Sequence, residues 1–148
     1  MSRKTPDPAP ALLLLDTHVL VWAVLNEPAL GPNAAKSINA ASREDRLAVS
    51  AITPWEIAML VSKKRITLQK DVLDWIREAL AKPGMSLVPL EPEIAVSSTR
   101  LPFAMHSDPA DRILVASARS IGATLVTADK TLLAAAKQGF FPAMDAAR

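Results

Sequence analysis

The chain alternates short apolar runs with longer stretches in which apolar residues recur at helical spacing. Leu12-Leu13-Leu14-Leu15 is a continuous apolar run, the pattern of a strand buried on both faces. His18 to Asn26 then reads as a helix closed by Glu27-Pro28, and Asn33 to about Ser42 as a second. Arg46 to Ser50 is short and β-like. Thr53-Pro54-Trp55-Glu56 has the form of a helix start, with Thr53 as cap, Pro54 at the first helical position and Glu56 at the third. The helix it opens carries Ile57, Leu60 and Val61 on one face and ends near Lys63-Lys64-Arg65. Val72, Leu73, Ile76 and Leu80 mark an amphipathic helix stopped by Pro83-Gly84. Ser86 to Leu90 is a strand candidate, Pro92 to Arg100 a helix, and Asp108-Pro109-Ala110-Asp111 opens a helix that Gly122 ends. Ala123 to Thr127 reads as a strand, Lys130 to Lys137 as a helix, and Phe140-Phe141 as a last short strand.

Strands that alternate with helices imply crossover connections and a parallel sheet, an α/β fold. In such sheets ligands bind beyond the carboxyl ends of the strands. Asp16 and Asp129 both sit at such an end. The length of 148 residues suits one domain, and a half-hydrophobic composition supplies its core. Residues 1–10, with three Pro, read as a disordered extension, and residues 11–148 as the domain. The longest apolar stretch, Ala9 to Leu25, is broken by Asp16 and His18 and is too short to span a membrane. The leucines after Ser2-Arg3-Lys4 imitate a secretory signal, but no small-x-small cleavage site follows. A cytoplasmic protein is expected. The absence of Cys excludes disulfides and thiolate metal sites, and two His are too few for a His-rich zinc site. A net charge of +2 favours a polyanionic partner only weakly, because attraction depends on clustering.

Candidate chemistry lies in the acids at the junctions between apolar segments and helix starts: Asp16, Glu56, Asp108, Asp111 and Asp129. Each has a structural explanation. Asp16, Asp108 and Asp129 stand where N-caps stand, at about 1 kcal/mol apiece, and Thr53 with Glu56 spells a capping box. Jointly the explanation weakens, because the sheet would bring several of these acids within reach of one another. Clustered carboxylates repel and their pKa values rise, unless a cation offsets the charge. An all-oxygen site selects Mg²⁺, with Mn²⁺ as a substitute, over zinc. Such an ion serves phosphodiester hydrolysis.

Four segments carry a resemblance: LLLLDTHVLVW (12–22), SAITPWEIAML (50–60), HSDPADRILVASA (106–118) and TLVTADKTLL (124–133). In this order they resemble a PIN domain and, more narrowly, a VapC-type toxin ribonuclease. The combination of S-x-x-x-W-E-I with H-x-D-P-x-D-R is the specific part. The resemblance implies a three-layer fold with a five-stranded parallel sheet and an acidic pocket at the strand carboxyl edge. It implies Asp16 and Asp111 as principal Mg²⁺ ligands, Glu56 as the acid that completes the site or orients water, and Asp129 as the fourth acid. Asp108 matches an additional acid of this subgroup, and Thr17 and Thr127 would orient neighbouring carboxylates. It further implies an RNA substrate cut to 3′-hydroxyl and 5′-phosphate ends, a small VapB antitoxin, a homodimer, and operator DNA bound only through the antitoxin.

Other residues have competing readings. Lys63-Lys64-Arg65 would either guide an RNA backbone or sit as a solvated helix end, the latter favoured. Arg112 would pair with Asp108, pair with Glu56 or contact phosphate, with a structural role preferred. Trp22 and Trp55 lie in apolar stretches and are expected to pack in the core or at an interface rather than stack on bases, with Trp75 partly exposed. His106 is expected to order the loop before Asp108, and His18 to pack near the pocket. Two rival functions stand beside the nuclease: a catalytically silent PIN-like scaffold, and an aspartate-based phosphoryl-transfer domain. The latter would want an Asp where His18 stands and a Lys at a late strand end.

Overall fold

β1 (Leu13–Leu15) is the central strand of a five-stranded sheet with the order β3-β2-β1-β4-β5. Its neighbours are β2 (Leu47–Ser50) and β4 (Thr124–Thr127); β3 (Met85–Val88) and β5 (Ala143–Asp145) are the edges, and every pairing is parallel. The structure is a computed structural model that describes residues 10–148. Nearly all of the expected N-terminal extension, residues 1–9, lies outside the described residues.

The period of two along each strand divides the core. Leu13 and Leu15 point into one cluster, with Leu47, Val49 and Val126; Leu14 points into the other, with Ala48 and Leu125. The first cluster is closed by α1 (Thr17–Leu25), α2 (Pro32–Arg43), α3 (Ile52–Ser62) and α4 (Val72–Leu80). The second is closed by α5 (Pro92–Ser98), α6 (Pro109–Ile121) and α7 (Lys130–Ala136). Helix, sheet and helix thus make the three layers expected of the sequence. Gly122 ends α6 with φ 65°, a left-handed conformation that glycine adopts without a Cβ penalty.

The structure corrects three local expectations. The last strand is Ala143–Asp145, not Phe140-Phe141; Phe140 stacks on Phe103 with ring centroids 4.9 Å apart, and Phe141 is buried in the second cluster. In α4, Ile76 is buried with Val72 and Leu80 packed beside the core as expected, but Leu73 is exposed and Trp75, expected to be partly exposed, is buried. Trp55, expected to pack in the core or at an interface, is 56% exposed, which removes the core alternative.

Candidate active site at the carboxyl edge of the sheet

The sheet is parallel and each helix runs back across it, so strand C-termini and the N-termini of the following helices share one edge. Asp16 leaves β1 there and Asp129 leaves β4; Glu56 is in the second turn of α3, after β2; Asp108 and Asp111 open α6, before β4.

Asp16 is held by its neighbours on both sides. Its backbone N–H donates to the Val126 carbonyl (3.0 Å), which ties it to β4. Oδ1 accepts from the Thr17 N–H (2.7 Å) as the cap of α1, and Oδ2 accepts from the Thr127 hydroxyl (2.7 Å). The Thr127 oxygen in turn accepts the Asp129 N–H (3.0 Å), so one buried hydroxyl positions the acids of β1 and β4 together. Burial raises the Asp16 pKa above the usual carboxylate range, against these hydrogen bonds and the nearby His18, with Asp129 adding repulsion.

Glu56 does not form the capping box. The helix begins at Ile52, one residue before Thr53, so Thr53 is already inside the first turn and fully buried. The Thr53 and Thr17 hydroxyls are 3.1 Å apart, and Thr17 donates to Glu56 Oε1 at 2.6 Å. Thr17 has one proton and gives it to Glu56, so Thr53 must donate to Thr17. This relay fixes Oε1. Burial raises the Glu56 carboxyl to about 7, opposed by the Thr17 hydrogen bond and reinforced by repulsion from Asp16, Asp111 and Asp108. Thr53 is the positioning residue that a capping-box reading concealed. We predict that Thr17→Val, which removes the hydroxyl at nearly constant volume, raises the Glu56 pKa further. Any activity that needs ionised Glu56 should then shift its acid limb to higher pH, with about a tenfold loss below neutrality. A pH–rate profile checks this; an unshifted limb would show that Thr17 does not tune Glu56.

Asp111 lies in the first turn of α6, where Asp108 is the N-cap, Asp108 Oδ1 accepting the Asp111 N–H at 3.0 Å. Its Oδ2 is 2.7 Å from His106 Nε2, a partner of the acid itself rather than only of the loop. Burial raises its pKa, the His106 contact opposes this, and Asp108, Asp16 and Asp129 repel it. Asp129 behaves differently. Burial pushes its pKa up, but hydrogen bonds from the Thr131 hydroxyl and the Leu132 and Thr131 N–H groups outweigh that, and the net shift is downward. Its Oδ1 is occupied as the cap of α7.

Arg112 pairs with neither Asp108 nor Glu56. Nε donates to the Ser98 carbonyl (2.8 Å) and Nη1 to those of Met105 and His106 (both 3.3 Å), so it fastens the loop that carries His106 onto α6. Its service to the site is indirect.

The structure therefore links the five acids electrostatically: Asp16 is repelled by Asp129, Glu56 by Asp16, Asp111 and Asp108, and Asp111 by Asp108, Asp16 and Asp129. Among the described residues no Lys or Arg hydrogen-bonds or ion-pairs with any of them. An all-carboxylate cluster with three raised pKa values suits a hard divalent cation in donor type and in charge. As the side chains stand, no three acidic or His groups among the described residues are placed to grasp one ion together. The hydrogen bonds explain this, since Asp129 is turned to its helix and Asp111 to His106. Closing such a set around a cation would take rotation about their side-chain bonds.

A family model described as PIN domain matches residues 13–138. The chain belongs to the PIN domain family. Within it the chain resembles Ribonuclease VapC22 of Mycobacterium tuberculosis, at 38% identity over 120 residues, 81% of this chain and 88% of that protein. Solved structures share the fold of this PIN domain at low identity. VapBC2 from Rickettsia felis, bound to a promoter DNA fragment, has a TM-score of 0.65 at 15% identity, covering 90% of this chain and 98% of that one. FitAcB from Neisseria gonorrhoeae has a TM-score of 0.59 at 21% identity, covering 90% and 97%.

Proposed function

We propose that this PIN domain is a Mg²⁺-dependent endoribonuclease, the toxin of a VapBC-type toxin–antitoxin pair, acting on cytoplasmic RNA. The observation that carries the reading is the meeting of four carboxylates, two just after β1 and β4 and two on α3 and α6, at one sheet edge where among the described residues no Lys or Arg bonds to them and His106 alone partners Asp111. The 38% identity to a ribonuclease supports the reaction, and the toxin–antitoxin complexes among its structural neighbours support a VapB-type partner. Operator DNA would be reached through that partner. A homodimer belongs to the same reading.

Asp16 and Asp111 would hold the ion, with Asp108 and Asp129 beside them. When bound, Mg²⁺ or Mn²⁺ supplies Lewis-acid stabilisation of charge on the phosphate and lowers the pKa of water. Glu56 Oε1 is fixed by Thr17, and Oε2 has no hydrogen-bond partner among the described residues. Without a metal, burial raises Glu56 to about 7; in the loaded site it would complete the acidic set or orient the attacking water. Thr127 keeps Asp16 oriented through the reaction and Arg112 keeps the His106 loop in place.

The test is cleavage of total RNA by the purified, antitoxin-free protein. Fragments with 5′-phosphates should accumulate with Mg²⁺ or Mn²⁺ and cease with a chelator. One observation favours the silent scaffold, namely that among the described residues no three acidic or His side chains are placed to clasp an ion. RNA binding without turnover at any Mn²⁺ concentration would establish that reading instead.

A further inference from the structure

Beside the acids runs a groove of about 460 Å³ between α1, α3 and α6, whose aromatic and basic lining the cleavage mechanism does not use. Glu56 and Asp108 line it where it meets the acids, and Trp55, Met59, His18 and Ile113 contribute to its walls. Lys63 and Arg65, at the C-terminal end of α3, also line it. Trp55 directly precedes Glu56 in α3, yet 56% of it is exposed, an unusual exposure for the largest apolar side chain. The end of α3 is shaped as well. The Arg65 N–H donates to the Leu60 carbonyl (2.9 Å) and the Lys64 N–H to that of Val61 (3.0 Å), a Schellman closure. Lys64 occupies its left-handed position at φ 58°, where glycine is ordinarily found. This turn folds the chain back so that Arg65 joins Lys63 along the groove.

We propose that this groove binds the single-stranded RNA next to the scissile phosphate, with a nucleobase stacked on the Trp55 indole and flanking phosphates on Lys63 and Arg65. The inference rests on the ribonuclease reading and adds to it a specificity residue and a strand path. An exposed aromatic platform followed by cations is how proteins hold unpaired strands, and a base can lie on an indole only when it is free of a duplex. The apolar walls suit the faces of bases, and the cations meet the backbone that leads away from the acids. Stacking on Trp55 would favour purines, the bases with the larger faces.

The experiment uses the full chain carrying Asp16→Asn, so that RNA binds without being cut, titrated with short 2′-O-methyl oligoadenylate, oligouridylate and a duplex of equal length. Single strands should bind more tightly than the duplex, and oligoadenylate more tightly than oligouridylate. Adding Trp55→Ala should weaken oligoadenylate about tenfold and narrow the gap to oligouridylate, while Trp55→Phe keeps most of the affinity. Lys63→Ala with Arg65→Ala should lower the salt dependence by roughly one to two phosphate contacts, whereas Lys137→Ala, at the C-cap of α7, should not. In the cutting enzyme, Trp55→Ala should raise KM and spare kcat. Unchanged RNA affinity in a folded Trp55→Ala protein overturns the proposal, and so does a Trp55→Ala defect confined to an antitoxin peptide. Failure of the ribonuclease reading looks different: the parent does not cut RNA, or Asp16→Asn still does.

Discussion

Asp16→Asn should lower RNA cleavage by roughly 10²–10⁴-fold while leaving the fold intact. The loss follows from charge. A neutral amide is a poor ligand for Mg²⁺, and a metal's stabilisation of transition-state charge is worth several kcal/mol, each ~1.4 kcal/mol being a factor of ten in rate. Retention of the fold follows from geometry. Asn is as good an N-cap as Asp, so its Oδ1 still accepts the Thr17 N–H that Asp16 accepts at 2.7 Å. The amide nitrogen would face Thr127 Oγ1, which has lone pairs to accept from both it and the Asp129 N–H. The burial that raises the Asp16 pKa also means that a neutral side chain is easier to accommodate there than a charged one. Cleavage of a labelled RNA and a thermal melt, run on the same preparation, check both halves. Equal cleavage by the variant would remove Asp16 from the mechanism, and a collapsed melt would leave Asp111→Asn to decide it.

The parts of this molecule that were legible in its sequence are those where one local pattern had one structural outcome. Leu13-Leu14-Leu15 could only be a buried strand, and it placed Asp16 at a sheet edge. Asp108-Pro109 with Gly122 thirteen positions after the proline bounded α6 correctly. Elsewhere a local pattern was overridden by tertiary contacts. T-P-W-E spells a capping box, but α3 begins a residue earlier, at Ile52, and Thr53 and Glu56 turn instead to Thr17, 36 and 39 residues away in sequence. No local rule contains that pairing. Trp22 packs against the core as expected, whereas Trp55 departs from its apolar stretch for a related reason. α3 is apolar nearly all round, so its periodicity names no outward face and could not say that Trp55 was left in solvent. β5 is a short edge strand whose residues are only partly buried, whereas the aromatic pair read in its place is used for packing against Phe103.

Capping and ligation, rivals when each acid is read alone, separate once the contacts are known. Asp129 gives Oδ1 to α7, and its pKa falls as a cap's should. Asp16 caps through Oδ1 and keeps a raised pKa, because burial exceeds what two hydrogen bonds return. Glu56 caps nothing, and burial raises it to about 7. The acid most easily dismissed on sequence is therefore the one whose position owes nothing to capping and everything to the Thr17 and Thr53 hydroxyls.

That same shift makes the metal-free protein less stable as pH rises, and Mg²⁺ should reverse this. Glu56 is raised from 4.5 to about 7, so the folded state holds its proton more tightly than the unfolded chain does. Its contribution to stability is complete below about pH 4.5 and is lost as pH rises through about 7. Asp16 and Asp111 are shifted in the same direction from 3.8 and add to the loss. Asp129 is shifted downward, so its contribution fails only in acid, below this range. The melting temperature of the metal-free protein should therefore fall between about pH 5 and pH 8. A divalent ion competes with these protons, so its stabilisation should grow over the same interval. At a hundred times its Kd the ion contributes about 2.7 kcal/mol, which for a domain of this size is roughly 5–10 °C. Scanning calorimetry with and without Mg²⁺ at each pH checks this, with Asp16→Asn expected to lose most of the response. An Mg²⁺ effect that was equal at both ends of the range would mean that the ion binds somewhere other than among these three acids.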